Sequence, residues 1–221
     1  MQKFESPVPV SVVVDVPAGR IQLIAAERVD TVVEVLPANA SRGRDVKAAE
    51  QVTVGFADGV LRIGSPEAQN RYVGPTGSVE VTVKLPAGSR VEGRTGGAEL
   101  RTVGRLGDVV FEGAYRRIKL DETAGLRLSA VDGDVEVGRL GGPADVRTTR
   151  GDIRIVEAVA GTVVLRTDSG DITVGAAPGV SAVLDAGTAY GRVSNALKND
   201  GKPGLDIRAT TSHGDITARS L

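Results

Sequence analysis

Residues 167–175 read TDSGDITVG, a Gly-Asp pair between a polar run and an alternating apolar strand. Near copies stand at 132–137 (DGDVEV), 150–155 (RGDIRI) and 213–217 (HGDIT). With the residue after the turn glycine as register mark, the series runs Gly97, Arg117, Asp134, Asp152, Asp171, Arg192, Asp215, with gaps of 20, 17, 18, 19, 21 and 23 residues. The position before the mark is glycine in every copy except Arg116. One after it is always apolar (Ala98 through Ile216), two after always polar, and three after apolar except at Asn195. That in-out-in alternation is a strand with one buried face. Six before the mark stand Val91, Phe111, Leu128, Val146, Leu165, Ala186 and Ala209; four before stand small residues, threonine in the last four copies. Large, then small, approaching a glycine fits a tapering interior corner.

A coil of this size cannot bury its own apolar face, so it must stack on the next in parallel register. The chain is therefore all-β, with residues 88–221 forming a β-solenoid of about seven short coils of ~19 residues. Residues 1–87 carry strand-like runs at Val10–Val16, Ile21–Ala25, Thr31–Leu36, Gln51–Phe56, Val60–Ile63 and Ser78–Leu85, and read as a β-rich N-terminal capping module. Two matching turns, Asp15–Gly19 (DVPAG) and Lys84–Gly88 (KLPAG), punctuate them. Arg44–Gln51 is the nearest approach to a helix.

Composition agrees. Among 221 residues there are 29 glycines, three Phe, three Tyr and no Trp, which suits short strands and tight turns. A net charge of −1 gives no global field to draw nucleic acid or an anionic membrane. Cysteine is absent, which excludes disulfides and thiolate chemistry. The N-terminus MQKFESPVPV has no apolar signal region, and no stretch is long enough for a spanning helix, so the default expectation is a cytoplasmic protein without direct membrane insertion.

GDVEV, GDIRI and GDITV on a short rung, preceded by a β module ending VTVKLPAGSRVE (81–92), resemble the bacterial β-strand-repeat "putative adhesin" family, also called the toast-rack domain. AGTAYGRVSN (186–195) also resembles one of its coils. The resemblance implies a β-solenoid without established catalytic residues, and a role near cell-envelope stress with membrane-embedded partners.

No catalytic, cofactor or metal site is expected. Asp134, Asp152 and Asp171 should stack about one rung, or ~4.8 Å, apart, where like charges repel. Carboxylates accepting backbone N–H bonds at the turns explain them better than a calcium ladder, for which the nine-residue Gly-Asp repeat is missing. Arg150-Gly151-Asp152 spells an adhesion tripeptide from ordinary turn residues, and Asn39-Ala40-Ser41 matches a glycosylation acceptor without an export signal. His213, the only histidine, is poorly placed for a Ser/His/Asp relay. Arg147 and Arg166 share an outward column with Glu92 and Glu112, a mixed face rather than a nucleic-acid stripe.

The chain ends just after its last coil, so that coil reads as an open edge with Thr211, His213, Ile216 and Ala218 as a candidate self-association surface. Three function classes follow. The first is a non-catalytic scaffold or interaction protein with a membrane-associated protein partner. The second is a self-assembling protein, closing as a homodimer through the C-terminal coil because the N-terminal module blocks head-to-tail growth. The third is a carbohydrate-active β-helix enzyme, which the scarcity of aromatics disfavours.

Overall fold

A computed structural model describes residues 1–64, 77–114 and 117–221. Tyr115 and Arg116, which the repeat assigns to two of its columns, lie outside the described residues. The fold is the expected all-β stack, with eighteen strands and one helix, α1 (Gly43–Gln51), among the described residues. Each rung runs along wall A, turns a glycine corner and returns along wall B, with the apolar side chains filling the space between.

Wall A holds, in spatial order, β5 (Val60–Gly64), the first half of β2 (Ser11–Ala26), the first half of β7 (Arg90–Val103), β8 (Arg105–Ala114), the second half of β9 (Ile118–Ala130), β11 (Ala144–Arg150), β13 (Gly161–Ser169), β17 (Leu205–His213) and β15 (Ala182–Tyr190). Wall B holds β6 (Val79–Pro86), the second halves of β2 and β7, the first half of β9, β10 (Val135–Leu140), β12 (Ile153–Ala158), β14 (Ile172–Ala176), β18 (Ile216–Ser220) and β16 (Val193–Ala196). All of these pairings are parallel. At about 4.8 Å between strands the stack is roughly 38 Å from first level to last.

The seven coils expected after residue 88 are present, and the N-terminal segment contributes two more. β2 lies on β7 from Ser11↔Arg90 to Ile24↔Val103, and β5 with β6 forms the level beyond it. Residues 1–87 are thus partly solenoid. Among the described residues, β1 (Gln2–Glu5), β3 (Asp30–Pro37), β4 (Thr53–Ala57) and α1 act as a cap. β3 pairs antiparallel with β6 and β1, and β4 antiparallel with β5. Phe4 of β1 stacks on Phe56 of β4 at 5.1 Å between centroids, closing the core at that end. Asp15–Gly19 is a corner inside one continuous strand rather than a separate turn.

Two register details differ from the repeat as read. Gly93 faces Phe111 and Leu100 faces Ile118, so the first coil sits two residues away from the sequence alignment, with Glu99 rather than Gly97 at the mark. An even shift keeps every side chain on its face, which is why alternation alone did not detect it.

The larger difference is rung order. β17–β18 is inserted between β13–β14 and β15–β16, with Leu165↔Ala209↔Ala186 and Ile172↔Ile216↔Val193 as neighbours. β2 is likewise inserted between β6 and β7. The physical reason at the C-terminal side is the inward set. Leu205, Ile207, Ala209, Ile216 and Ala218 are all buried, whereas the 182–196 rung carries Asn195 at an inward position. A polar side chain there is tolerable only on a level with one open side. The more apolar rung therefore takes the interior place.

The corner explains the glycine column. A Cβ on Gly151 would lie 2.4 Å from the carbonyl oxygen of Gly133; on Gly170, 2.2 Å from that of Gly151; on Gly214, 2.1 Å from that of Gly170; on Gly191, 1.9 Å from that of Gly214. Gly170→Ala should therefore cost roughly 2–4 kcal/mol, a backbone clash added to an unfavourable φ. Gly179→Ala, at φ +77 but with open space around it, should cost only about 1 kcal/mol. Denaturant unfolding of the two variants measures the difference, and equal losses would remove the close-packed corner as the cause.

Candidate functional site

Three ladders run along the glycine corner. In the first, the aspartate carboxylates bond across rungs and not within their own turns. The N–H of Asp152 donates to Asp134 Oδ1 (3.1 Å), that of Asp171 to Asp152 Oδ1 (2.8 Å), that of Asp215 to Asp171 Oδ1 (2.7 Å) and that of Arg192 to Asp215 Oδ1 (2.9 Å). In the second, threonine hydroxyls donate to glycine carbonyls of the adjoining rung: the buried Thr167 to Gly151 (3.1 Å) and Thr211 to Gly170 (3.0 Å), and the half-buried Thr188 to Gly214 (3.0 Å). The column of small residues is thus also a column of donors. In the third, backbone amides continue the sheet around the bend, as in Ile153 N–H to Asp171 O and Ile216 N–H to Arg192 O.

The mark column reads, level by level, Glu80, Arg20, Glu99, Arg117, Asp134, Asp152, Asp171, Asp215, Arg192. Four stacked carboxylates are bracketed by arginines. At the far end Arg192 Nη2 meets Asp215 Oδ2 at 2.9 Å, and Arg20 bridges Glu99 (3.3 Å) and Glu80 (3.8 Å) at the other. Among the described residues no group of acidic, histidine or cysteine side chains is arranged to hold a metal ion.

Elsewhere the charged columns mix signs, with like neighbours at places such as Arg101 beside Lys119 and Arg147 beside Arg166. On wall B Lys119 bonds Glu136 (2.9 Å), which holds that carboxyl below the usual range, chiefly through the Lys119 hydrogen bond. On the narrow side between walls, Arg139 bridges Glu122 and Glu157. On wall A the corrected register places Arg94, not Glu92, in the column of Glu112, Arg147 and Arg166; Arg94 reaches both Glu112 (3.6 Å) and Glu92 (3.9 Å). The mixed character expected for this face holds. A shallow depression of about 290 Å³ there is lined by Phe111, Arg127, Asp145 and Arg147 among others. Arg150 of the adhesion-like tripeptide is tied to Asp132 at 3.1 Å.

The expected open edge is in the wrong place. Thr211, Ile216 and Ala218 are buried between two neighbouring levels, and His213 pairs with Ser169 on one side and Tyr190 on the other. The His213 ring stacks on Tyr190 at 5.0 Å. The edge is instead β15–β16, each with a neighbour on one side only among the described residues. Tyr190 is 72% and Val193 47% exposed, while Ile216, one level inside Val193, is 1% exposed. Two irregularities in the sequence signalled this end: Asn195 in an apolar column, and Arg192 in an aspartate column.

Residues 10–219 match the Toastrack DUF4097 family. Solved structures to which this chain is similar include a "putative adhesin" from Bacteroides fragilis (13% identity, TM-score 0.48, 98% of this chain and 95% of that one) and another from Parabacteroides distasonis (14%, 0.46, 98% and 95%). A "putative cell adhesion protein" from Clostridium sporogenes is similar at 11% identity and TM-score 0.39, over 100% and 98%. No curated protein matches. The described residues contain no helix long and apolar enough to cross a membrane.

Two outcomes follow from the corner and the rung order. The Asp215 carboxyl is held below its ordinary 3.8, first by the Arg192 backbone N–H and then by the Arg192 guanidinium. A depressed folded value stabilises the fold above the unfolded pKa, and that contribution disappears as pH falls through the folded value. Titration by carboxylate NMR should find Asp215 below 3.8, and Arg192→Ala should raise it only partway, since the backbone bond persists. Full return to 3.8 would contradict the ranking of the two bonds. Separately, deleting residues 205–221 removes an interior level. Residues 178–204 should then lose hydrogen-exchange protection entirely, rather than remain docked as the previous coil of an orderly stack.

Proposed function

Because the chain belongs to the Toastrack DUF4097 family, we propose that it is a non-catalytic interaction module, a stiff block whose outward columns engage a protein partner at the cell envelope. The observation that carries this reading is the registration of wall B. Its outward column runs Thr82, Gln22, Arg101, Lys119, Glu136, Arg154, then Thr173, Thr217 and Ser194, giving a predominantly basic centre between two neutral polar stretches on one surface. Parallel ladders fix these side chains at a constant spacing, so a partner meets a preorganised pattern with little ordering cost. The interior between the walls is packed with Val, Leu and Ile side chains, which leaves recognition to the outer surfaces.

The link to envelope stress and a membrane-associated partner rests on the family resemblance of the repeat. Photo-crosslinking residues placed singly at Arg101 and Thr173 on wall B, and at Arg127 and Arg166 on wall A, test the reading in cells. The expected result is one envelope protein captured from wall B and not from wall A, with capture lost in Arg101→Glu/Lys119→Glu/Arg154→Glu. Capture unaffected by that charge reversal, or a confirmed substrate turnover, would overturn it.

A further inference from the structure

We propose that the 182–196 rung is a self-pairing surface, through which two copies of this chain join end to end about a twofold axis, both walls continuing as antiparallel β-sheet across the junction. The proposal goes beyond wall recognition and uses a different surface.

Four observations lead to it. First, the two sheets end together: β15 and β16 each have one strand neighbour among the described residues, the inward Leu184 and Ala186 are only half-buried and the inward Val193 is exposed, and of the outward backbone groups the Ala182 N–H is taken by Lys198 O. In a parallel ladder the N–H and C=O of alternate residues point to the same side, so half of the end rung's backbone groups face outward. A single added strand would cover one wall and leave the other. A partner that covers both must offer two edges with a core between them at the same separation, and the end of this chain has that cross-section by construction.

Second, the opposite end has a different form. There β1, β3 and β4 run antiparallel over the last parallel level, and Phe4 on Phe56 fills the space between. A head-to-tail contact therefore lacks a matching surface, and a like-with-like contact closes as a dimer.

Third, the charges of the end rung are already answered within each copy. Its charged side chains are Asp185 and Arg192. Asp185 lies directly opposite Arg208 of β17, and Arg192 bonds Asp215 of the same level as β18. No unanswered like charges are brought together by the twofold, which would otherwise oppose strand pairing.

Fourth, the edge strand AVLDAGTAY carries neither lysine nor proline, two common means by which exposed edges resist pairing. The inward Asn195 is compatible with burial. Its Oδ1 accepts the Leu197 N–H at 3.0 Å, and its amide hydrogens remain to be shared with the same residue of the second copy.

Light scattering on the full chain should give twice the chain mass. Val193→Lys should give the monomer mass with an unchanged circular-dichroism spectrum, while Val156→Lys, an exposed site on the middle of wall B, should stay dimeric. Because the natural sequence has no cysteine, Asp185→Cys, Gly187→Cys and Ala189→Cys each supply a single thiol. Antiparallel pairing of β15 with its own copy should let at least one of them form an intermolecular disulfide under mild oxidant. A monomeric natural chain, a dimer insensitive to Val193→Lys, a filament, or a dimer in which none of the three thiols links would each overturn the proposal. Wall B crosslinking by Val193→Lys remains measurable in every case, so failure here is separable from failure of the interaction reading.

Discussion

The structure depends on one close approach: the carbonyl oxygen of each corner glycine against the α-carbon of the corner glycine in the adjoining rung, from Gly133 through Gly151, Gly170 and Gly214 to Gly191. Any Cβ at these positions would penetrate that carbonyl, so stacking at sheet spacing requires glycine there. Once the corners meet, the threonines reach the glycine carbonyls and the aspartates reach the next amide. The bend consequently loses no hydrogen bonds relative to the flat walls, which is the condition for burying backbone at a turn. The corner residues are thus linked consequences of one geometric constraint.

Stacked repeats also place like charges over like charges, and the chain meets that cost in two ways. In the outward column of Arg105, Glu122, Arg139 and Glu157 the sign alternates from level to level, while Arg147 and Arg166 adjoin on a solvated face. Where the corner requires a short acceptor at each level, the sign cannot alternate. There the carboxylates of Asp134, Asp152, Asp171 and Asp215 are held by backbone donors, and Arg117 and Arg192 flank the run. One oxygen of each carboxylate is thereby taken up by a backbone N–H of the adjoining rung.

Two levels sit one place inward of their order in the chain. β2 lies beneath β5 and β6, and β17–β18 beneath β15–β16. Neither of these levels can leave without separating neighbours on both of its sides. The two ends of the block are then chemically distinct: one plugged by Phe4 and Phe56, the other leaving Tyr190 and Val193 open.

By itself the sequence determined the all-β solenoid, the seven coils after residue 88, the glycine-aspartate corner, the helix near Arg44–Gln51 and the mixed charge of wall A, because each follows from local alternation or from residues recurring at a fixed offset. It also held the marks of the open end in Arg192 and Asn195, which read as blemishes until the stack was known. What only the tertiary structure decided was neighbourhood. A periodic pattern states that coils are equivalent and is silent on which lies beside which, so the insertion of 205–220 beneath 182–196 was invisible. The two-residue offset of the first coil was hidden for a related reason, since an even slip preserves every face. Residues 11–26 looked like a cap because their partners at 79–86 and 90–103 are distant in sequence and parallel, and long-range parallel pairing leaves no local trace. Rung order was settled by inward apolarity: the rung able to bury both sides went inside, and the one carrying Asn195 was left at the end.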